Sequence, residues 1–559
     1  MLDPQPEARL DATSRAVAAA AVLLGLYLYL GRLGGTPVQR GNEAMYMFPP
    51  IQMLESGDYL VSRYQGEHFL DKPSLTHWIV AASYRVLGVS VFAARLPSAI
   101  AGLATVLILG LWVRRRSGGR CGLLAALILM FSFEFVFLGM TFAGDAFLTL
   151  GVLVAVLALE RASVREDGSD AAWGALCGSA LALAFYFKGL VGIVLPVGAV
   201  AAALLLDRRK PVRLPRRAAW TLACLIALLA PWHWAMAHRL GEEFWRVFYW
   251  ENQFLRGATL RFMKASRSPL LYAGVLLWAI FPWSLLLPAT LRRRRPSSLP
   301  LAWLLFGLIF WSLLAMKREV YLLPLLPAAA ALVAEGSAGQ SRFESAWRRL
   351  AWGLAAVDAA AALILWVRGF HALTAVAGPG AAVFLGVALV VFLTALFAAA
   401  LSPRDSRALF SAALACGVVC LALRVLDERI ARFDPLPDWG ERVRRDCAAG
   451  CDGFLYGLKA NSLDFYSRLD WAWLDDPAHQ LAGRMRHRKA FLVMPTRLEP
   501  QLAALPVTWE VIERRASFGS YGVDMLGENW PDALQSLSLV RIEPPRRREG
   551  AGEVTFGPS

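Results

Sequence analysis

The chain has 559 residues, 57% of them hydrophobic, with a mean hydropathy of +0.46. Its 58 Lys and Arg against 43 Asp and Glu leave a net charge of +15. Apolar runs recur at the length that crosses a membrane, about 20 residues rising about 1.5 Å each through a core of about 30 Å, which excludes a water-soluble globule. Nucleic acid is excluded as a partner by where the bases sit. RRRSGGR (114 to 120), DRRKPVRLPRR (207 to 217) and LRRRRPSS (291 to 298) each lie between two apolar runs, as cytoplasmic loops do.

In chain order, MLDPQPEARLDATSR mixes acids with its bases and leads into an apolar run ending at Leu30 with no small-residue cleavage site. It reads as a retained helix rather than a cleaved signal. Spans are expected near 14–31, 95–113, 121–139, 144–160, 171–187, 189–206, 218–237, 269–290, 299–316, 319–335, 347–367, 379–401 and 406–425, about thirteen in all. The stretch 74–88 is short and holds His77 and Arg85, so it reads as an interfacial helix. Counting it as a span would put RRRSGGR outside. Left out, the three basic clusters, the N-terminus and RDSR (404 to 407) share one side.

The other face collects different residues. Residues 32–93 form a long first external loop with helical stretches NEAMYMFPPIQMLESG and KPSLTHWIVAASYRVLG. Asp145 stands in a short second loop and Lys188 in the turn FKGLVG. A fourth loop, 238–268, is amphipathic and aromatic, and the fifth is MKREVY (316 to 321). Ionisable groups at the ends of spans are costly unless they meet partners or water, and their convergence would make a polar cavity.

After Val425 no further span follows. GCDGFLYGL, KAFLVMP and TWEVIER alternate like strands, with the helix-like DDPAHQLAGRMR between them, so residues 430–559 read as a small external α/β domain with a polar, frayed tail. Cys447 and Cys451 are compatible with a disulfide and equally with two free thiols. The fold class is therefore an α-helical polytopic membrane protein, residues 1–429, carrying that domain.

The chemistry rests on carboxylates and cations. Glu43, Asp71 and Asp145 are acids; Lys72, Arg256, Lys317 and Arg318 are fixed positive charges suited to an anionic leaving group such as a phosphate. Arg256 offers a bidentate fork, Lys72 a point charge, and Tyr321 a neutral hydrogen bond. Plainer readings stand beside these: Asp71 and Lys72 as a solvated pair, Lys317 and Arg318 as snorkelling anchors, Arg256 as a lipid-headgroup contact. Asp145, alone in GMTFAGDAFLTL, calls most strongly for a partner or a function.

GNEAMYMFPPIQMLESGDYLVSRYQGEHFLDKPSLTHWIVAASYRVLGVSVFAARLPSAIAG closely resembles the first external loop of the bacterial lipid A aminoarabinose transferases, relatives of protein O-mannosyltransferases in the GT-C superfamily. The Asp145 loop, FKGLVGIVLP, PWHW, ENQFLRG and KREVYLLPLLP follow in the same order, so the resemblance covers roughly residues 10–430, and LYGLKANSLDFYSR matches the external domain more loosely. It implies a GT-C glycosyltransferase of the bacterial inner membrane, with its site and C-terminal domain on the external face. Such an enzyme takes a sugar from a polyprenyl phosphate and passes it, with inversion, to a lipid or glycan acceptor, within membrane lipid. Lys72, Arg256 and Tyr321 match positions around the donor phosphate; Asp145 matches a second essential external carboxylate, and Glu43 lies in the acidic motif of the first loop, where either it is the catalytic base or the base is elsewhere; Asn42, Tyr46, Asp71, Lys188, Lys317 and Arg318 support them. Asn42 stands where relatives commonly have Asp, so an amide that cannot take a proton precedes Glu43. Asn252, where relatives often have His, argues against a metal, and no metal or other cofactor is expected. A protein O-mannosyltransferase-like enzyme is the alternative within the class, and a lipid or sugar transporter the alternative outside it. No internal repeat favours the transporter.

Overall fold

The computed structural model describes residues 10–38, 42–138 and 144–337, the last without 167, 208–213, 256–270, 282, 288–289, 291–297 and 315–316. It further describes 386–387, 390, 406–432 and 434–543, the last without 448–449, 459, 486–488, 505–506 and 519–533. The chain forms two compact units. One comprises Met1–Thr36, Pro49–Arg63 and His68–Leu426, and the other Pro37–Phe48, Tyr64–Glu67 and Asp427–Ser559.

The first unit is helical. α1 (Ala12–Leu30) starts where the Asp11 carboxylate accepts the Ser14 N–H at 2.6 Å. In the first loop, NEAMYMFPPIQMLESG forms two helices rather than one, α2 (Asn42–Met47) and α3 (Pro49–Ser56). Pro49 is the cause: it disfavours helical backbone at Phe48 and suits the first turn of the next helix. After a two-stranded hairpin of β1 (Arg63–Tyr64) and β2 (Glu67–His68), α4 (Leu75–Leu87) has 13 residues. That gives roughly 20 Å at about 1.5 Å per residue, too short to cross the bilayer core.

There follow α5 (Val91–Ser117), α6 (Gly119–Met130), α7 (Phe133–Leu138), α8 (Asp145–Val164), α9 (Asp170–Lys188), α10 (Val191–Asp207) and α11 (Leu214–Leu240). A π-helical segment, Phe244–Leu255, precedes α12 (Leu271–Ala279) and α13 (Ser298–Leu313). A 3₁₀ segment, Glu319–Leu325, runs into α14 (Leu326–Ser337), and α15 is Ser406–Ala431. Among the described residues seven helices are long and apolar enough to cross a membrane, and Gly119–Met130, Val191–Asp207 and Ser298–Leu313 are shorter apolar helices. Two expected spans are broken, 121–139 at Phe131 and Ser132 and 269–290 after Ala279. Those at 347–367 and 379–401 lie outside the described residues.

Leu107, Leu205, Ile226 and Leu313 are exposed, which a surrounding lipid phase tolerates and water would not. Contacts between helices use small residues, as membrane packing favours. A Cβ at Gly151 of α8 would lie 2.9 Å from Ala184 Cα of α9, so these antiparallel helices meet closely. Their approach brings the start of α8 to the end of α9.

The second unit holds a five-stranded sheet of β3 (Asp452–Tyr456), β4 (Trp471–Leu474), β5 (Ala490–Pro495), β6 (Thr508–Phe518) and β7 (Leu534–Glu543), in the order β4-β3-β5-β7-β6. β3 runs parallel to β4 and β5, and β7 antiparallel to β5 and β6. β5 is buried along its whole length. Phe491 and Val493 enter one core with Leu436, Trp439 and Leu463, while Leu492 and Met494 enter another with Leu481 and Leu502. This is the period of two that a strand covered on both faces requires. α16 (Leu436–Asp446), α17 (Ser462–Ser467) and α18 (Pro477–Arg484) complete the unit. Cys447 and Cys451 are joined in a disulfide, with Cα atoms 5.5 Å apart.

Candidate functional site

In the first unit, Asp145 and Lys188 form an ion pair, with side chains 5% and 11% exposed. Helix ends explain where each charge sits. Asp145 is in the first turn of α8, at its positive end, and Lys188 in the last turn of α9, at its negative end. Gly144 (φ +79°) and Gly189 (φ +77°) flank them in the left-handed region, so both turns are sharp where a side chain would be strained.

The fifth loop closes on the pair. Lys188 Nζ lies 5.0 Å from the centre of the Tyr321 ring, which stacks on Trp311 with centroids 4.5 Å apart. A cation over an aromatic face is attracted by the ring quadrupole, which holds Lys188 between Asp145 and Tyr321. Arg318 is fixed through its backbone, donating its N–H to Tyr272 Oη at 3.0 Å and accepting the Tyr272 hydroxyl at 3.1 Å. Lys317 is buried and donates to the Leu314 carbonyl at 2.6 Å, which is more than a surface anchor does.

Lys72 pairs with Asp71 at 3.0 Å, each side chain 15% exposed, so the couple is largely withdrawn from water. Ser74 is the residue at the N-cap position of α4, without a side-chain capping bond, and Pro73 lies just before it. Four residues on from Pro73, His77 is fully buried, with Nδ1 2.7 Å from Ser62 Oγ. Burial pushes the imidazole down to about 4 against the opposing charge of Asp71, so it is neutral near pH 7. A Cβ built on Gly144 would lie 4.0 Å from Thr76 Cγ2, so α4 begins against the Asp145 turn.

The π-helical segment pins two of these turns. Asn252 Nδ2 donates to the Leu70 carbonyl at 3.4 Å, next to the Asp71–Lys72 couple. Gln253 Oε1 accepts the Leu190 N–H at 3.1 Å, two residues past Lys188. Arg256, immediately beyond, lies outside the described residues.

The structure thus brings together Asp145, Lys188 and Tyr321, with Lys317 and Arg318 on the loop that carries Tyr321. Glu43 and Tyr46 stand on α2, in the second unit, Glu43 buried and Tyr46 half-buried. Asn42 opens that helix, and its side chain lies outside the described residues.

Glu134 is a functional candidate that sequence reasoning misses. It is buried near the start of α7, both carboxylate oxygens lack a hydrogen-bond partner among the described residues, and the charges of Asp145 and Glu319 act on it. Its sequence signal is the one that marks Asp145, a lone acid in an apolar run, SFEFVF.

A family model described as dolichyl-phosphate-mannose-protein mannosyltransferase matches residues 71–234. The chain is 30% identical, over 69% of its length and 72% of the relative's, to an undecaprenyl phosphate-alpha-4-amino-4-deoxy-L-arabinose arabinosyl transferase of Pectobacterium carotovorum. It is 30% identical to a second such transferase, from Pseudomonas fluorescens, over 55% of this chain, and 32% identical to an uncharacterised protein of Aquifex aeolicus over 56% of it. The chain spans 54% and 63% of those two relatives. Among solved structures, ArnT from Cupriavidus metallidurans bound to undecaprenyl phosphate superposes with a TM-score of 0.74 at 20% identity, covering 95% of this chain and 98% of that one. What is shared with that structure is the fold.

Proposed function

The chain belongs to the family of undecaprenyl phosphate aminoarabinose arabinosyl transferases, and on that premise we propose that it is a membrane glycosyltransferase moving a sugar from a polyprenyl phosphate to an envelope acceptor. The observation that carries the reading is the meeting of Asp145, Lys188 and Tyr321 from three separate loops.

An acceptor oxygen attacks the anomeric carbon from the face opposite the phosphate, the bond to the phosphate oxygen breaks, and the configuration inverts. The leaving polyprenyl phosphate keeps the electron pair. Negative charge grows there, so cations act most strongly at that point. Lys72, Arg256 and the Tyr321 hydroxyl take this role, with Lys188 held beside Tyr321. A phosphate acceptor arrives ionised and needs no base; a hydroxyl acceptor gives its proton to Glu43 or Asp145. The site and the second unit face the periplasm in this reading, and the Cys447–Cys451 disulfide supports it, since disulfides persist in oxidising compartments.

Transfer to a lipid A-type glycolipid is the first reading of the acceptor. Transfer to protein is the second, favoured by the family model over residues 71–234. Mass spectrometry of envelope glycolipids and glycoproteins with and without the protein separates them. A sugar missing from the glycolipids alone supports the first and from glycoproteins alone the second; no change in either would leave transport as the better account.

A further inference from the structure

In the second unit the three parallel strands lie in the order β4-β3-β5, so the first of them in sequence is the central one. The chain leaves β3 for one side and then crosses back to the other. The connecting helices accordingly cover opposite faces of the sheet, with Leu463 of α17 in one core and Leu481 of α18 in the other. Where connections part in this way the carboxyl ends of the strands leave a crevice between them, the usual place of a ligand in an open α/β sheet.

That crevice is present here as a cleft of about 410 Å³, within the roughly 300–1,000 Å³ of small-molecule sites. Tyr456, the last residue of β3, Asp475 and Asp476, just after β4, and Met494, near the end of β5, line it together with Gln501 and Leu502 of the 3₁₀ segment Thr496–Ala504. Met494 and Leu502 are buried and make an apolar floor, while Asp475, Asp476 and Gln501 are exposed at the rim. The rim is held in shape. Trp473 Nε1 donates to Asp475 Oδ1 at 3.1 Å, and the Asp475 N–H donates to Gln480 Oε1 at 2.9 Å. Asp476 Oδ2 lies 2.7 Å from His479 Nδ1, and Tyr456 donates its hydroxyl to Gln501 Oε1 at 2.6 Å. This last bond occupies the Gln501 oxygen, so the amide N–H groups are what Gln501 offers a ligand.

Among the described residues no Lys or Arg lines the cleft, so it presents carboxylate acceptors, amide donors and an apolar floor but nothing for an anion. We propose that this cleft binds a sugar ring that carries no negative charge. Hydroxyl or ammonium groups of the ring donate to Asp475 and Asp476, a further hydroxyl accepts from Gln501, and the C–H face of the ring lies on Met494 and Leu502. Residues of the second unit suffice for this, so the site stands whether or not the chain transfers a sugar.

The test is saturation-transfer NMR on the full-length protein in lipid nanodiscs, titrated separately with glucosamine, glucose and glucuronate at slightly acidic pH. Glucosamine and glucose are expected to bind with a roughly millimolar Kd, as so few atoms in an open cleft allow. Glucuronate should bind at least about tenfold more weakly, because its carboxylate meets Asp475 and Asp476. Asp475→Asn should weaken glucosamine about tenfold, as for loss of a hydrogen bond to a charged group, and narrow its advantage over glucuronate. Gln501→Ala should weaken glucosamine and glucose alike, roughly fivefold. Both residues are exposed, so β5 should keep its hydrogen-exchange protection in each variant. Glucuronate binding as tightly as glucose, no binding of glucosamine or glucose, or a glucosamine affinity unchanged in both variants would overturn the proposal.

Discussion

Glu134 shows what a single buried charge implies. Both Glu134 oxygens are buried and, among the described residues, without a hydrogen-bond partner, which is costly by roughly 1–3 kcal/mol or more unless the group is neutral or meets a cation during the reaction. Glu134→Gln is therefore expected to leave the thermal midpoint unchanged or raised while transfer falls at least about fivefold, on the rule that sites keep such groups for function at some cost in stability. A lowered midpoint with full activity would make it a packing residue. Asp145 and Lys188 are legible in the sequence because charge is scarce near span ends. Glu134 is not, since SFEFVF reads as part of a continuous span and the break at Phe131 and Ser132 carries no Pro or Gly.

The elements carry two further expectations. Gln253→Leu leaves the Leu190 N–H without its acceptor and loosens the turn after Lys188, so transfer should fall roughly tenfold, equivalent to about 1.4 kcal/mol, with little change in expression. Steady-state kinetics on purified protein check this. Asp464 gives a pH dependence. Burial, partly opposed by the hydrogen bonds from Tyr64 and Trp471, pushes its carboxyl from 3.8 up to about 8. The folded unit then keeps a proton on Asp464 that the unfolded chain releases, so the contribution of this group to stability is fullest below about pH 4 and is lost as pH rises towards about 8. Pulse proteolysis across that range should show the decline in the parent protein and a flatter profile in Asp464→Asn.

Strand β5 is readable from AFLVMP, an apolar run of strand length. β4 and β7 are not, because WAWL is very short and LQSLSLVRIE is half polar. The π-helical form of FWRVFYWENQFL is likewise invisible, since its aromatics suit an α-helix at an interface equally well.

For the whole molecule, charge distribution fixes the frame. Basic clusters alternate with apolar runs, which makes the polytopic class legible before any contact is known. The grouping of 37–48 and 64–67 with residues 427–559 is not legible, because it depends on contacts roughly 400 residues apart in sequence, such as Tyr64 with Asp464. Local patterning cannot encode such a pairing.

The central claim is transfer from a polyprenyl phosphate by a site built on Asp145, Lys188 and the phosphate-binding cations. Its most direct test is purified protein in liposomes, supplied with an undecaprenyl-phosphate-linked amino sugar and lipid A, followed by mass spectrometry of the lipid. The account predicts a lipid A mass increase of one sugar residue with the parent protein, reduced at least about a hundredfold, as for loss of a charge-stabilising group, in Asp145→Asn and Lys72→Ala at equal folded amounts. Near-normal transfer by both variants, or no transfer by the parent protein, would contradict it.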